Sequence, residues 1–286
     1  MNIYPGHMAK AKRVLKENLK NVDLVVEVLD ARIPYASHNK QLKEIIENKE
    51  KIIVLNKKDL AEQKYTDEWQ NTIEKTVNCV KVNAVKKSGI KKLINLMEEK
   101  QTEINQKRKQ KGIKERPVRA IIIGIPNVGK SALINAIGGR SSAKTGNTPG
   151  VTRGKQWIKV TDKIELLDMP GILFPKAEDE DIAYKLVLTG AIALKKVDTE
   201  LAAYKLLKYL RQLERLSVVE KTYDIEIYQG EHPYDILPKI GRVRGCLMSG
   251  GKVDRNRAAK LLVNDYQNGK LGRVSLEKPG SDNVEF

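Results

Sequence analysis

The sequence has few cysteines, few aromatic residues and no long apolar run. Its 286 residues include only Cys79 and Cys246, which stand apart and show no metal-ligand spacing, so we expect a reducing compartment, the cytoplasm. No stretch approaches the roughly 18 apolar residues of a membrane span, and the first residues lack the apolar core of a signal peptide. Aromatic residues are 5% of the chain, which argues against base stacking as the main mode of RNA binding.

Positive charge is in excess. The chain has 53 Lys and Arg against 36 Asp and Glu, a formal net charge of +17. That excess suits a polyanionic partner, although charge alone is equally typical of a basic protein without one. With 41% apolar residues the chain can bury a core, and its length favours two domains. Nothing indicates an obligate interface, so we expect a monomer.

The most specific motif is Gly124–Ser131, which reads G-I-P-N-V-G-K-S and matches the phosphate loop G-x-x-x-x-G-K-S. A β-branched run precedes it and a helical pattern follows, as the motif requires. Its glycines let backbone N–H groups converge on phosphates at a helix N-terminus. Lys130 would reach the β- and γ-phosphates, with a catalytic role, and Ser131 would ligate Mg²⁺. The motif predicts a nucleoside triphosphate held by Asn127, Val128, Gly129, Lys130, Ser131 and Ala132.

A second motif, N-K-K-D, indicates guanine as the base. It follows the apolar run 51–55, and the Asp59 carboxylate can accept from both N1–H and the exocyclic amine of guanine. Adenine lacks this donor pair and would leave the carboxylate unpaired. A short Asn-Ala step after the run 79–82 stands where the last base-contacting loop would fall. The predicted base-binding residues are Asn56, Lys57, Lys58, Asp59, Asn83 and Ala84.

A third motif, D-M-P-G at residues 168–171, completes the predicted site. Asp168 would hold Mg²⁺ through a water, and the Gly171 N–H would approach the γ-phosphate, which makes Gly171 both a binding and a catalytic candidate. The preceding segment, residues 145–154, is rich in glycine and threonine and has no helical period. Such a loop can bring a hydroxyl to Mg²⁺. Thr152 is the first choice for this ligand and Thr148 the second.

The order of these motifs is unusual, because the base motif precedes the phosphate loop. The usual GTPase order begins with the phosphate loop and ends with N-K-x-D. If the termini of a GTPase domain with the usual order are joined and the chain is opened elsewhere, every neighbour contact of the sheet is preserved. The motif order of this chain therefore predicts a circular permutation. The basic run Asn105–Arg116 has the composition of a solvated linker and would be the new join.

These motifs in this order resemble the RbgA/YlqF family of circularly permuted GTPases, the ribosome biogenesis GTPase A family. The likeness covers nearly the whole chain and includes P-G-H-M-A-K-A at residues 5–11 and D-A-R-I-P at residues 30–34. The resemblance implies a bacterial GTPase that acts late in assembly of the large ribosomal subunit. It also implies a helical C-terminal domain that contacts ribosomal RNA.

The fold class expected is α/β, with a circularly permuted P-loop GTPase domain followed by an α-helical domain. We assign residues 1–20 to a basic helical segment, 21–175 to the doubly wound, mostly parallel sheet, and 176–286 to a helical, RNA-contacting domain. Helical spacing predicts helices over 181–195, 199–216, 234–240 and 255–266, the last capped by Asp254. Candidate RNA-facing cations are Arg242, Arg244, Lys252, Arg255, Arg257, Lys260, Lys270 and Arg273.

The predicted catalytic centre lacks a group that orients water. Ile172 stands where a glutamine often follows D-x-x-G, so unassisted hydrolysis should be slow, of the order of 10⁻⁴–10⁻³ per second. His7, in the family's P-G-H-M segment, is the leading internal candidate, since an imidazole can orient or deprotonate water near neutral pH. The alternative is a histidine that only contacts RNA. Asn127 resembles residues that hold K⁺ beside the β–γ bridge; alternatively, it bonds its own loop.

Two functions are compatible with these features. In the first, the GTP-bound protein docks on the immature large subunit, the particle stimulates hydrolysis, and hydrolysis releases the protein. In the second, the protein is a nucleotide-dependent RNA-binding assembly chaperone whose hydrolysis is incidental. An ATP-driven enzyme is disfavoured by Asp59 and by the lack of a second substrate site.

Overall fold

A single mixed sheet forms the first part of the protein. The computed structural model describes residues 13, 15–39, 43–46, 49–138, 157–167, 179–280 and 286. Within them the strand order is β3-β2-β1-β4-β6-β5, and every neighbouring pair is parallel except β5 with β6. The strands are β1 (Leu24–Asp30), β2 (Glu50–Asn56), β3 (Asn78–Lys81), β4 (Val118–Ile123), β5 (Trp157–Thr161) and β6 (Ile164–Leu167).

Helices cover both faces of this sheet. Leu93 and Leu133 pack against one face, while Trp69 packs against the other. Residues 15–19 are also helical, and Leu15 and Leu19 are buried on that second face. Strands buried on both faces read as continuous apolar runs, which is why β2 and β4 were recognisable in the sequence. The doubly wound, mostly parallel fold is confirmed. Its helices include α1 (Pro34–Ser37), α2 (Lys43–Ile46), α3 (Gln63–Glu74), α4 (Ile90–Gln110) and α5 (Lys130–Gly138).

The predicted linker over Asn105–Arg116 is partly wrong. Helix α4 continues to Gln110, and Asn105 is buried in its last turns. The Asn105 amide Nδ2 donates to the Arg116 carbonyl at 3.0 Å, so the helix end is fastened to the chain that enters β4. Polar composition indicated a linker, but one buried amide and the tertiary contact it makes extend the helix. The non-helical join is residues 111–117.

The chain after residue 179 is mainly helical, as predicted, with shorter helices at two places. The predicted helix over 181–195 ends at Leu188, where Gly190 has a left-handed φ of +82°. The one over 199–216 ends at Gln212 and is followed by a separate short helix. The Asp254 cap is confirmed: its carboxylate accepts from the Arg257 N–H at 2.9 Å. These helices are α6 (Glu180–Leu188), α7 (Thr199–Gln212), α8 (Ser217–Tyr223), α9 (Pro233–Val243) and α10 (Arg255–Gln267).

The segment after α10 is extended and returns to the sheet. The Leu276 N–H donates to the Arg32 carbonyl at 2.9 Å. The buried Glu277 carboxylate accepts from the Tyr35 N–H at 2.8 Å, and burial raises the pKa of this carboxyl group. Apolar residues of α7 and α10 belong to the same core as the sheet. The helical region is therefore packed directly on the sheet region. Among the described residues, none of the helices combines the length and apolar character that a bilayer span requires.

Candidate guanine-nucleotide site

Three predicted nucleotide loops that the structure describes lie at the carboxyl ends of β2, β3 and β4. These strands run parallel in one sheet, with β1 between β2 and β4, so the loops that follow them open at one edge of the sheet. Ligands of doubly wound sheets bind outside this edge, where the chain connections diverge. Permutation has thus changed the order of the phosphate loop and N-K-K-D in the sequence without separating these two motifs in space.

Asn56 joins three of the loops. Its buried amide donates from Nδ2 to the Val128 carbonyl of the phosphate loop at 2.8 Å, although the two residues are 72 positions apart. Its Oδ1 accepts from the Ala84 N–H at 3.1 Å. Gly129 makes the approach possible, because a Cβ there would lie 2.2 Å from Asn56 Nδ2. Both hydrogen-bonding ends of the Asn56 amide are therefore used within the protein.

The remaining base-side residues surround an open space. Lys57 has a left-handed φ of +59°, and its Nζ lies 3.0 Å from Asp30 Oδ2. The half-buried Asp59 carboxylate makes no hydrogen bond or ion pair to a described residue. A cavity of 380 Å³ is lined by Lys58, Asp59 and Asn83, among others. An acceptor-only group beside such a space can take the two guanine donors.

The loop that contains Asn83 is a compact turn. Asn83 and Ser88 exchange backbone hydrogen bonds across it, at 2.9 and 3.1 Å. Val85 projects from the turn with 84% of its surface exposed, unlike the apolar side chains of the core.

The phosphate loop has the backbone conformation that its glycines were predicted to allow. Gly124 has a φ of +154°, and a Cβ there would lie 2.5 Å from the Val28 carbonyl oxygen. Asn127 is exposed with a φ of +58°, and its Nδ2 donates to the Gly190 carbonyl at 2.8 Å. The alternative that Asn127 bonds its own loop is wrong, because its partner belongs to the helical region. Its Oδ1 has no described partner.

Lys130, Ser131 and Ala132 form the first turn of α5. Lys130 Nζ donates to the Ile125 carbonyl at 2.6 Å, and burial lowers the pKa of this lysine to about 8. The Ser131 hydroxyl is exposed and makes no hydrogen bond to a described residue. A free hydroxyl at a helix N-terminus fits the hard-oxygen ligand that Mg²⁺ prefers. The described residues contain no cluster of three acidic, histidine or cysteine side chains that could hold a metal alone.

Several predicted site residues lie outside the described ranges. They are the candidate catalytic residue, the two candidate threonine ligands and the D-M-P-G residues: His7, Thr148, Thr152, Asp168 and Gly171. Ile172 lies there too. Their predicted roles remain predictions.

The sequence interpretation missed a buried ion pair behind the base loop. Arg32 donates to Asp30 through Nε at 2.9 Å and through Nη2 at 2.8 Å. Although burial opposes both charges, the pair holds the pKa of Asp30 well below its usual range and that of Arg32 above it. The guanidinium also lies 5.2 Å from the Tyr266 ring and bonds the Tyr266 carbonyl. The only signal for this pair was D-A-R-I-P, which entered as part of a resemblance.

Comparison with known proteins agrees with this geometry. The 50S ribosome-binding GTPase family matches residues 119–223. A relative from Bacillus pumilus, named ribosome biogenesis GTPase A, is 43% identical and covers 97% of this chain and 98% of its own. The Thermotoga maritima protein of the same name is 35% identical and covers 98% of this chain and 95% of its own.

Solved structures match over nearly the same length. A GDP-bound structure of TM YlqF has a TM-score of 0.67 and 29% identity, covering 93% of this chain and 99% of its own. The GNP-bound YlqF from T. maritima has a TM-score of 0.64 and 31% identity, covering 94% and 98%. The predicted fold and guanine-nucleotide binding are confirmed. This chain belongs to the ribosome biogenesis GTPase A family and is a GTP hydrolase of ribosome biogenesis.

Proposed function

We propose that the GTP-bound protein docks on the immature large ribosomal subunit and times a late step of its assembly. The particle stimulates hydrolysis, and hydrolysis releases the protein. The rate of GTP hydrolysis then determines how long the protein stays bound to the particle. This proposal needs a physical connection between the nucleotide loops and the surface that meets the particle.

The observation that carries the proposal is that the nucleotide loops are connected to the helical region at two points, once directly and once through a buried ion pair. Asn127 of the phosphate loop bonds the Gly190 carbonyl after α6. Arg32, paired to Asp30 and through it to Lys57 of the base loop, reaches the carbonyls at the end of α10. A ligand shifts an equilibrium only through contacts that differ between two states. Both connections link a nucleotide loop to the helical region. They can therefore differ between the GTP-bound and GDP-bound protein, and so change the surface that meets the particle.

The helical region exposes a surface suited to RNA. Leu247 and Met248, in the loop between α9 and α10, are 46% and 50% exposed. Nearby cations are also exposed and form no ion pair with described residues: Arg242, Lys252, Arg257 and Lys260. Phosphate contacts from such groups supply affinity that falls steeply with salt. Two other predicted RNA contacts are engaged within the protein, since Arg255 pairs with Glu200 and Lys270 pairs with Asp265.

The proposed cofactors are GTP or GDP, Mg²⁺ and K⁺. Mg²⁺ would be held by Ser131 with Thr152 and, through a water, Asp168, and it would neutralise charge on the β- and γ-phosphates. Asn127 Oδ1, which has no partner among the described residues, fits a K⁺ ligand. Equal hydrolysis rates in matched potassium and sodium buffers would remove the K⁺ proposal.

Sedimentation with immature large subunits tests the function. We expect the protein to sediment with particles under a non-hydrolysable GTP analogue and to remain in the supernatant under GDP. Asp168→Ala should stall assembly or leave the protein on particles. If the same fraction of protein sediments with particles under GDP and under the GTP analogue, release by hydrolysis is contradicted. That result would favour the assembly chaperone with incidental hydrolysis.

The role of His7 requires a separate measurement. We expect His7→Ala to reduce particle-stimulated turnover while particle affinity stays the same, because the imidazole would act on the attacking water. Normal turnover with intact binding would eliminate the catalytic role. Lower affinity with normal turnover per bound protein would indicate an RNA contact instead.

A further inference from the structure

We infer that Arg273, from the segment after α10, covers the bound guanine base, so that the helical region completes the nucleotide site. The inference rests on the proposed placement of guanine at Asp59. Arg273 lines the same 380 Å³ cavity as Lys58, Asp59 and Asn83. Of the described residues that line this cavity, it alone comes from the chain beyond residue 179.

The backbone on either side of Arg273 is fastened to the base loop. The Val274 N–H donates to the Leu60 carbonyl at 2.9 Å, and Leu60 directly follows Asp59. The Ser275 hydroxyl accepts from the Glu62 N–H at 3.1 Å. These bonds hold residue 273 beside the cavity before any ligand arrives, which lowers the entropy lost on binding.

A close approach between two loops produces this alignment. Gly269, at the end of α10, has a φ of +75°, and a Cβ there would lie 2.5 Å from Leu60 Cδ2. The Tyr266 hydroxyl donates to the Val274 carbonyl at 3.3 Å, which folds the segment back along the helix. The position of Arg273 is therefore set by packing on both sides.

The Arg273 side chain itself is free. It is exposed and makes no hydrogen bond, ion pair or ring contact with a described residue. The neighbouring cations differ: Lys270 pairs with Asp265 at 2.8 Å, and Arg215 pairs with Glu62 at 3.1 Å. An arginine held at a cavity wall with its guanidinium unused is available to a ligand there.

The chemistry of guanidinium suits a purine. Its planar, weakly hydrated cation stacks on aromatic faces, which a lysine ammonium does poorly. Asp59 reads the edge of the base, so a group on the cavity wall can cover its face. Because GTP and GDP carry the same base, this contact should strengthen both equally and leave hydrolysis to the phosphate loop.

Titration calorimetry with GDP and with a non-hydrolysable GTP analogue tests the inference on the full chain. Because a stacked cation would be lost from the base, Arg273→Ala should raise both Kd values by about tenfold, or about 1.4 kcal/mol. Arg273→Lys should recover only a small part of this loss. Lys208→Ala, which removes an exposed cation of α7 without a hydrogen bond or ion pair to a described residue, is the matched control and should leave both Kd values unchanged.

Three results would overturn the inference. The first is unchanged nucleotide affinity in Arg273→Ala, including the case in which only particle binding falls, which would make Arg273 an RNA contact. The second is full recovery by Arg273→Lys, which would indicate charge without stacking. The third is a loss of affinity matched by a lower Tm of the nucleotide-free protein. Asp59→Asn separates the two proposals: if it leaves GDP affinity unchanged, the base site itself is misplaced.

Discussion

The base side and the phosphate side of the nucleotide site differ in how far the protein has built them in advance. On the base side, Asn56 is buried and bonds two other loops, and a buried ion pair holds Lys57 from behind. On the phosphate side, Lys130 donates to the backbone of its own loop, and the Ser131 hydroxyl has no described partner. The base side is supported by protein contacts, whereas the phosphate side uses groups that the ligand must engage.

The difference has a physical reason. Specificity for guanine requires a fixed arrangement of donors and acceptors, because a loose site would accept other bases. Phosphate binding requires charge and exposed N–H groups, which cannot all be satisfied internally without closing the site. A mutation of a base-side residue that bonds other loops should therefore affect folding and binding together, while a mutation of a group left open to the ligand should affect binding alone.

The largest expected effect belongs to the phosphate side. Lys130→Ala removes the cation that would contact two phosphates, each contact worth about 1.5–3 kcal/mol, so GTP affinity should fall at least about 100-fold. The free energy of unfolding should change by less than about 1 kcal/mol, because the lost hydrogen bond to Ile125 is largely offset by relief of the cost of burying the lysine charge. Calorimetric titration and urea unfolding measure the two quantities. A large loss of stability would contradict the proposed contrast.

Asn56→Ala should lower both the nucleotide affinity and the free energy of unfolding. It leaves the buried Val128 carbonyl and Ala84 N–H unpaired, which lowers the free energy of unfolding by about 2–4 kcal/mol. Nucleotide affinity should fall as well, since the loops are no longer joined. Asp59→Ala is the comparison variant, because its carboxylate has no described partner: it should reduce guanine-nucleotide affinity with unchanged stability. Equal stabilities of the two variants in urea would refute the base-side account.

The smallest effect concerns pH. Burial lowers the pKa of Lys130 to about 8, so above pH 8 the lysine of the nucleotide-free protein is mostly neutral. It must then take up a proton before it can pair with a phosphate. GDP affinity should therefore hold from pH 6 to 8 and fall by up to about tenfold per unit above it. Guanine N1 also loses a proton in alkaline solution, so Lys130→Arg, which stays charged, is the reference. Parallel pH profiles of the two proteins would exclude Lys130 as the titrating group.

The sequence was most informative about local structure and ligand chemistry. The G-I-P-N-V-G-K-S and N-K-K-D motifs, each with its preceding strand, predicted the sheet edge and the base, because both follow from residues adjacent along the chain. Helix ends were less well predicted. Asn105 looked like part of a linker, and its burial against the chain entering β4 could not be read from composition.

The sequence alone was enough to predict a permuted GTPase and a carboxylate, Asp59, placed to read guanine, since local patterns specify strands, loops and the groups they display. Only the tertiary structure decided that Asn127 bonds Gly190, that Arg32 reaches Tyr266, and that Arg273 lines the cavity beside Asp59. These pairs join residues distant in sequence, such as Arg32 and Tyr266, which are 234 positions apart. Which partners meet over such distances depends on how the helices pack on the sheet, and no local pattern encodes that packing.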